Sequence, residues 1–171
     1  MSAITLKEIS RVSGYSVSTV SKALNNKLDI SSDTRQIIQS IADKYNYIPN
    51  NYAVALRKKC TNRIAVILPQ VNTEFYSCFL YNIEKTASSL GYKIILQQTF
   101  EEKIKEIEYI KSSNDGSVDG VIMLSENSCH NSLYDSYQFP IEVVKILDKQ
   151  PLEMIKKHAI NSFTRLLNKL H

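Results

Sequence analysis

The chain has 171 residues, 43% hydrophobic and 22% charged, with a formal net charge of +4. That is room for one domain or two small ones. The charge is uneven: residues 1–63 hold ten Lys and Arg against four Asp and Glu, whereas residues 64–171 hold eleven against thirteen. A basic N-terminal segment on a mildly acidic body points to a nucleic-acid module joined to something else.

Cys60, Cys78 and Cys129 lie far apart, odd in number and with no CxxC pair. Neither a disulfide framework nor a zinc site is expected, and a reducing cytoplasm fits. The N-terminus does not read as a signal peptide. Apolar runs such as Ile64 to Leu68 are strand-length, too short to cross a bilayer.

The most informative stretch is TLKEISRVSGYSVSTVSKALN, residues 5–25. Thr5 and Glu8 have capping-box spacing. Leu6, Ile9 and Val12 recur at helical intervals. Gly14 follows where a helix end favours positive φ, and Ser16 can cap a second helix. Val20, Ala23 and Leu24 face that helix inward. Val17, Ser18, Thr19, Ser21, Lys22 and Asn25 are left outward: small, hydroxylated or basic side chains suited to a polyanion. By itself the pattern describes equally well any small helical hairpin with a solvated face.

Ser31 to Thr34 can cap a third helix, with Ile37, Ile38, Ile41, Ala42 and Tyr45 as its apolar stripe. Pro49 suits the start of a short helix over Asn50 to Leu56, carrying Ala53 and Leu56 on one face; two turns should fold only against a partner. From Arg63 the pattern changes. Ile64 to Leu68 reads as a buried parallel strand, followed by a helix over about Phe75 to Leu90 that ends at Gly91. Tyr92 to Gln97 is a second strand. Glu101 to Ser112 is a helix with Ile104, Ile107 and Ile110 along one side, and Gly120 to Leu124 is a third strand. This alternation implies a parallel sheet covered by helices. Ser125 to Gln138 reads as a loop with at most one weak helical turn, Val143 to Leu147 as a fourth strand, and Pro151 to Leu170 as an amphipathic helix. The inward face of that last helix carries Ile155, Ala159, Phe163 and Leu166 or Leu167.

Residues ITLKEISRVSGYSVSTVSKALN, SSDTR at 31–35 and YNYIPNNYAVAL at 45–56 resemble the lactose-repressor (LacI-type) family of bacterial transcription regulators. The order and spacing run without a gap over about sixty residues; Ser10 and Ser13 stand where the family usually has alanine. The resemblance implies a helix-turn-helix headpiece over residues 1–48, a hinge helix and linker over 49–62, and a small α/β lobe over 63–171. It implies that Val17, Ser18 and Lys22 read base edges in the major groove, with Val17 against a thymine methyl and Lys22 donating to a guanine. Thr5, Ser16, Thr19, Ser21, Asn25, Ser31, Thr34, Tyr47 and Asn50 match phosphate-contacting positions. Tyr47 could equally be a core residue. Ala53 and Leu56 match the minor-groove hinge, with Leu56 as an inserted wedge.

RIAVILPQVNTEFY, SLGYKIIL and VDGVIML resemble the first lobe of the family's periplasmic-binding-protein-like domain. A full member continues through a second lobe, whereas after Leu124 this chain has one more strand and one helix. DKQPLEMIKKHAINSFTRLLNKL resembles the family's C-terminal helix, which packs back on the first lobe. An alternative alignment makes Phe139-Pro140 to Asp148 the lobe's own fourth strand; both leave a single lobe. Asn72, Phe75, Tyr76 and Ser125 fall at the C-terminal ends of strands, where ligands bind open parallel sheets. With half the cleft absent, a small-molecule effector would be poorly buried.

The expected function is that of a sequence-specific DNA-binding regulator, a repressor acting as a homodimer on a pseudo-palindromic operator in double-stranded DNA. The competing expectations are an interaction or dominant-negative protein that dimerises with a full-length relative, and a decayed regulator remnant. No catalytic grouping, metal site, cofactor motif or membrane segment is apparent: His130, His158 and His171 are scattered, and four glycines make no phosphate loop.

Overall fold

A computed structural model describes residues 4–49, 60–125, 134, 136–145 and 150–170. The chain divides into two units, residues 1–54 and 55–171.

The first unit contains three helices, α1 (Leu6–Ser13), α2 (Val17–Leu24) and α3 (Ser32–Lys44). Each begins as the sequence dictates. Thr5 and Glu8 form a complete capping box, and the Ser16 and Ser31 hydroxyls accept from the Thr19 and Thr34 amides. Gly14 ends α1 in the left-handed conformation at φ 74°. Helices α2 and α3 end without glycine. Asn26 and Asn46 take positive φ instead. The amides of Lys27 and Tyr47 reach back to the carbonyls of Lys22 and Ala42 at 3.0 and 2.9 Å, the closure of a Schellman motif. Ile9, Val20, Ala23 and Ile38 form a fully buried core, with Ile4, Leu6, Tyr15, Leu24, Ile30, Ile41 and Tyr47 packed around it. Burying a side chain of the Ile9 or Ile38 kind contributes about 1.5–3 kcal/mol, which matters in so small a unit.

The second unit is one parallel sheet with order β2-β1-β3-β4. Its strands are β1 (Arg63–Leu68), β2 (Lys93–Gln98), β3 (Gly120–Ser125) and β4 (Ile141–Lys145), and its helices are α4 (Glu74–Ser89), α5 (Lys103–Ser112) and α6 (Leu152–Leu170). Both faces are covered. Ile64, Val66 and Leu68 of β1 meet Phe79, Ile83 and Ala87 of α4 and Ile155, Ala159, Phe163 and Leu166 of α6. The alternate residues Ala65 and Ile67 meet Ile110 of α5 on the other face, with Val121, Met123 and Ile141. Burial on both faces is why the central strands β1 and β3 are continuously apolar rather than alternating. The last helix packs on the lobe, through the four side chains expected of it.

Several expectations shift. Strand β4 lies two residues earlier than Val143 to Leu147, inside the alternative 139–148 alignment. Helix α5 starts at Lys103 because Phe100 and Glu101 both take positive φ. Ile104 and Ile107 do not join Ile110 in the core; they are 70% and 48% exposed. A three-residue spacing drifts backwards by about 60° per step on a 3.6-residue helix, so three such residues cannot share a narrow face. The same drift leaves Val12 46% exposed while Ile9 is buried. Ile37 on α3 and Tyr45 just after it are also exposed. Most of the 125–138 stretch, and the Asn50 to Leu56 segment, lie outside the described residues.

At the N-terminal edge of the sheet the Asp119 carboxylate accepts from the Thr61 amide and hydroxyl (2.7 and 2.8 Å) and the Asn62 amide (2.8 Å). The segment entering β1 is thus pinned to the start of β3.

Candidate nucleic-acid interface

Helix α2 has two faces of opposite character. Val20 and Ala23 are fully buried. Val17, Ser18 and Lys22 are exposed, Val17 at 41%. At about 100° per residue, these three span an arc of about 140° on the side away from the buried pair. Ser21 and Asn25 fall within the same arc. A valine held two-fifths exposed beside a serine and a lysine offers one apolar contact and two polar ones, the set needed to read thymine methyls and base-edge acceptors.

The hydroxyls assigned to phosphate contact cluster at helix starts. Thr5, Ser16 and Ser31 are the N-caps of α1, α2 and α3. Thr19 and Thr34 pair with Ser16 and Ser31 through their hydroxyls at 2.9 and 2.8 Å. Helix N-termini present unpaired amides and a positive dipole end, which suit an anion. Thr5 is held by Glu8, whose Oε2 accepts from the Thr5 amide at 2.6 Å and hydroxyl at 2.9 Å. That backbone hydrogen bond, more than any other cause, holds the Glu8 carboxyl below its ordinary value. The Asn25 carboxamide donates to the Ser21 carbonyl at 2.7 Å, so it lies along its own helix. Tyr47 packs against the headpiece core, and burial raises its hydroxyl pKa; it has the position of a core residue. Asn50, Ala53 and Leu56 lie outside the described residues.

Three features of this surface have no counterpart in the sequence reading. Lys22 Nζ meets Asp29 Oδ2 at 2.6 Å, and this bond is the main reason the Asp29 carboxyl lies below its ordinary value. Arg35 of α3 donates from Nη2 to the carbonyls of Lys27 (2.9 Å) and Ile30 (3.4 Å), bracing the loop that carries Asp29. Ser10 and Ser13 also have partners: Ser10 Oγ donates to the Tyr15 carbonyl at 2.6 Å, and Ser13 Oγ to the Ser10 carbonyl at 3.3 Å. An acidic residue a few positions after Lys22 was the only available signal for the first of these.

In the lobe, β1 and β3 are adjacent and parallel. The residues after β1 and Ser125 at the end of β3 therefore share one edge of the sheet. Asn72 is exposed. Phe75 and Tyr76 stack edge-to-face with centroids 5.2 Å apart and pack against the core. Ser125 is buried. Two of the four candidate effector residues are thus occupied with packing α4 onto the sheet. Among the described residues no group of three or more His, Cys, Asp or Glu could hold a metal ion, and no helix is long and apolar enough to cross a membrane.

A capped three-helix unit with an exposed, largely polar face on its second helix, followed by a parallel-sheet lobe, defines the class of helix-turn-helix regulators with a periplasmic-binding-protein-like body. Residues 5–50 match the family of bacterial regulatory proteins, lacI family. Residues 61–162 match the periplasmic binding proteins and sugar binding domain of the LacI family. The chain belongs to the LacI family. It is 32% identical over 155 residues to the HTH-type transcriptional regulator DegA of Bacillus subtilis (strain 168), covering 88% of this chain and 46% of that protein. It is 31% identical over 133 residues to the sucrose operon repressor of Pediococcus pentosaceus, covering 78% and 40%. The chain thus spans less than half the length of these relatives. Among solved structures, the lac repressor dimer bound to operator and the anti-inducer ONPF superposes with a TM-score of 0.70 at 22% identity, over 88% of this chain and 47% of that one. A LacI family regulator from Silicibacter pomeroyi superposes at 0.68 and 22% identity, over 97% and 61%. These likenesses bear on the fold.

Proposed function

We propose that this chain is a sequence-specific DNA-binding transcription regulator, acting as a repressor. The observation that carries the reading is the division of α2: Val20 and Ala23 anchor it, and Val17, Ser18 and Lys22 are presented outward just after its Ser16 cap. Val17, Ser18 and Lys22 read bases; Thr5, Ser16, Thr19, Ser21, Asn25, Ser31, Thr34 and Asn50 contact phosphate, with Tyr47 contributing from the core. The segment with Ala53 and Leu56 acts as a minor-groove hinge linking the 1–48 headpiece to the 63–171 lobe. Two copies bind a pseudo-palindromic operator, because one headpiece spans only half a site. The relatives named above are regulators and an operon repressor, which supports this reading.

Effector control through Asn72, Phe75, Tyr76 and Ser125 is the weaker part of the reading, since the aromatic pair packs into the lobe.

The test is a titration of a duplex selected from random DNA, at several salt concentrations, against random duplex. A palindromic winner bound orders of magnitude more tightly than random DNA, by a complex of two chains, is expected. Weak and steeply salt-dependent binding with no winner would leave only the headpiece charge at work.

A further inference from the structure

We infer that Asp29 is a specificity-determining residue of the headpiece: it holds Lys22, withholds its ammonium from passing phosphates and keeps it aimed along the reading face of α2. The inference rests on the assignment of α2 as the reading helix.

The pair itself is half exposed, with side chains 47% and 55% accessible. An exposed ion pair of this kind contributes little to stability, so its effect must be sought elsewhere. What distinguishes it is how firmly the acidic partner is held. The loop leaves α2 through the Lys27 amide bonded to the Lys22 carbonyl at 3.0 Å. Arg35 grips the Lys27 and Ile30 carbonyls from α3, on either side of Asp29. Gln39, one turn further along α3, donates from Nε2 to Asn26 Oδ1 at 2.8 Å. The third helix therefore sets where the carboxylate stands, and the carboxylate sets where the lysine points.

The consequence for recognition follows from donor geometry. An ammonium has three N–H donors. One engaged by Asp29 leaves two for the acceptors of a guanine edge. On random DNA an unpaired lysine would neutralise one phosphate and release its counterion. A lysine already paired has less to gain there, and the carboxylate beside it repels the phosphate. An exposed aspartate is ionised at neutral pH in any case, and the Lys22 hydrogen bond lowers its pKa further, so this discrimination is present whenever the headpiece meets DNA at neutral pH.

The experiment compares the full chain with D29N, K22Q and the K22Q/D29N double variant. Each is titrated with random duplex and with the duplex that the unsubstituted chain selects, across a salt series. D29N is expected to bind random duplex several-fold more tightly and to steepen its salt dependence by about 0.9 in log–log slope for each headpiece bound, one extra phosphate apiece. It should gain less on the selected duplex, so the ratio of specific to random affinity falls. In the K22Q background the same change should leave the slope nearly unaltered, and D29E should restore the original ratio. An equal shift in both backgrounds would mean that Asp29 acts only through net charge, and an unchanged ratio would mean that it plays no part in specificity. Either result overturns the inference while leaving the selected duplex intact. Failure of the unsubstituted chain to select any duplex would instead remove the reading of α2, and this inference with it.

Discussion

Arg165 Nε meets Glu142 Oε1 at 2.6 Å, and Lys169 Nζ meets the other carboxylate oxygen at 2.8 Å. Lys169 also donates to the Ile141 carbonyl at 3.2 Å. Glu142 is a charged residue, the second of the edge strand β4, with its side chain only 8% exposed. It points towards α6, whereas its neighbours Ile141 and Val143 pack on the other face of the sheet. The two cations clamp the last helix to the last strand.

The clamp is asymmetric, because the carboxylate is buried and its partners are 56% and 43% exposed. Removing both cations strands a buried charge, at a cost of about 3 kcal/mol. Removing the carboxylate leaves two cations that water can solvate, at about 1 kcal/mol. The Arg165→Ala/Lys169→Ala variant should therefore unfold at clearly lower urea than Glu142→Gln. Equal midpoints would show that the carboxylate is not desolvated.

Ser10 and Ser13 fasten the turn between α1 and α2 through their hydroxyls. Ser10→Ala should destabilise the headpiece by about 1 kcal/mol, the ordinary worth of one hydrogen bond, and faster hydrogen exchange at the Ile9 and Val20 amides would report it. Protection identical to the unsubstituted chain would mean that alanine serves equally well here.

Glu8 makes the headpiece sensitive to acid. Its carboxyl lies below its ordinary value of 4.5 chiefly because the Thr5 amide donates to it. A depressed folded value means that the stabilisation is fully present above the unfolded value and is lost as pH falls through the folded one. Headpiece stability should thus decline as pH drops below 4.5, and Glu8→Gln should flatten that decline. A melting profile with the same pH slope in both proteins would assign the acid sensitivity to other carboxylates.

Leu56, on the proposed hinge, should matter only where DNA is kinked. Leu56→Ala is expected to weaken binding to the selected duplex far more than to random duplex, since unstacking of base steps accompanies the specific complex. Equal losses on both would argue against a wedge.

Much of this was legible in the sequence where local chemistry decides the outcome. The capping box at Thr5 and Glu8, the left-handed Gly14 and the serine caps depend on residues three or four apart, and all appear as expected. The strands Ile64 to Leu68 and Gly120 to Leu124 were legible because burial on both faces leaves a continuous apolar run. What escaped depended on distant partners. Ile104 and Ile107 look like core residues until the angular drift of a three-residue spacing leaves only Ile110 against the sheet. Glu142 reads as an ordinary strand-edge charge until α6 brings Arg165 and Lys169 over it. Asp29 is one loop acid among several until Arg35, six residues on, fixes the loop that aims it at Lys22.

The most direct test of the DNA-reading account is to select preferred duplexes from random DNA with the unsubstituted chain and with a Val17→Ala/Ser18→Ala variant. The account predicts that the unsubstituted chain selects a palindrome, and that the variant selects a different base at the same position in each half-site while the half-site spacing is kept. Selection of the same sequence by both proteins would contradict the assignment of α2 as the helix that reads the operator.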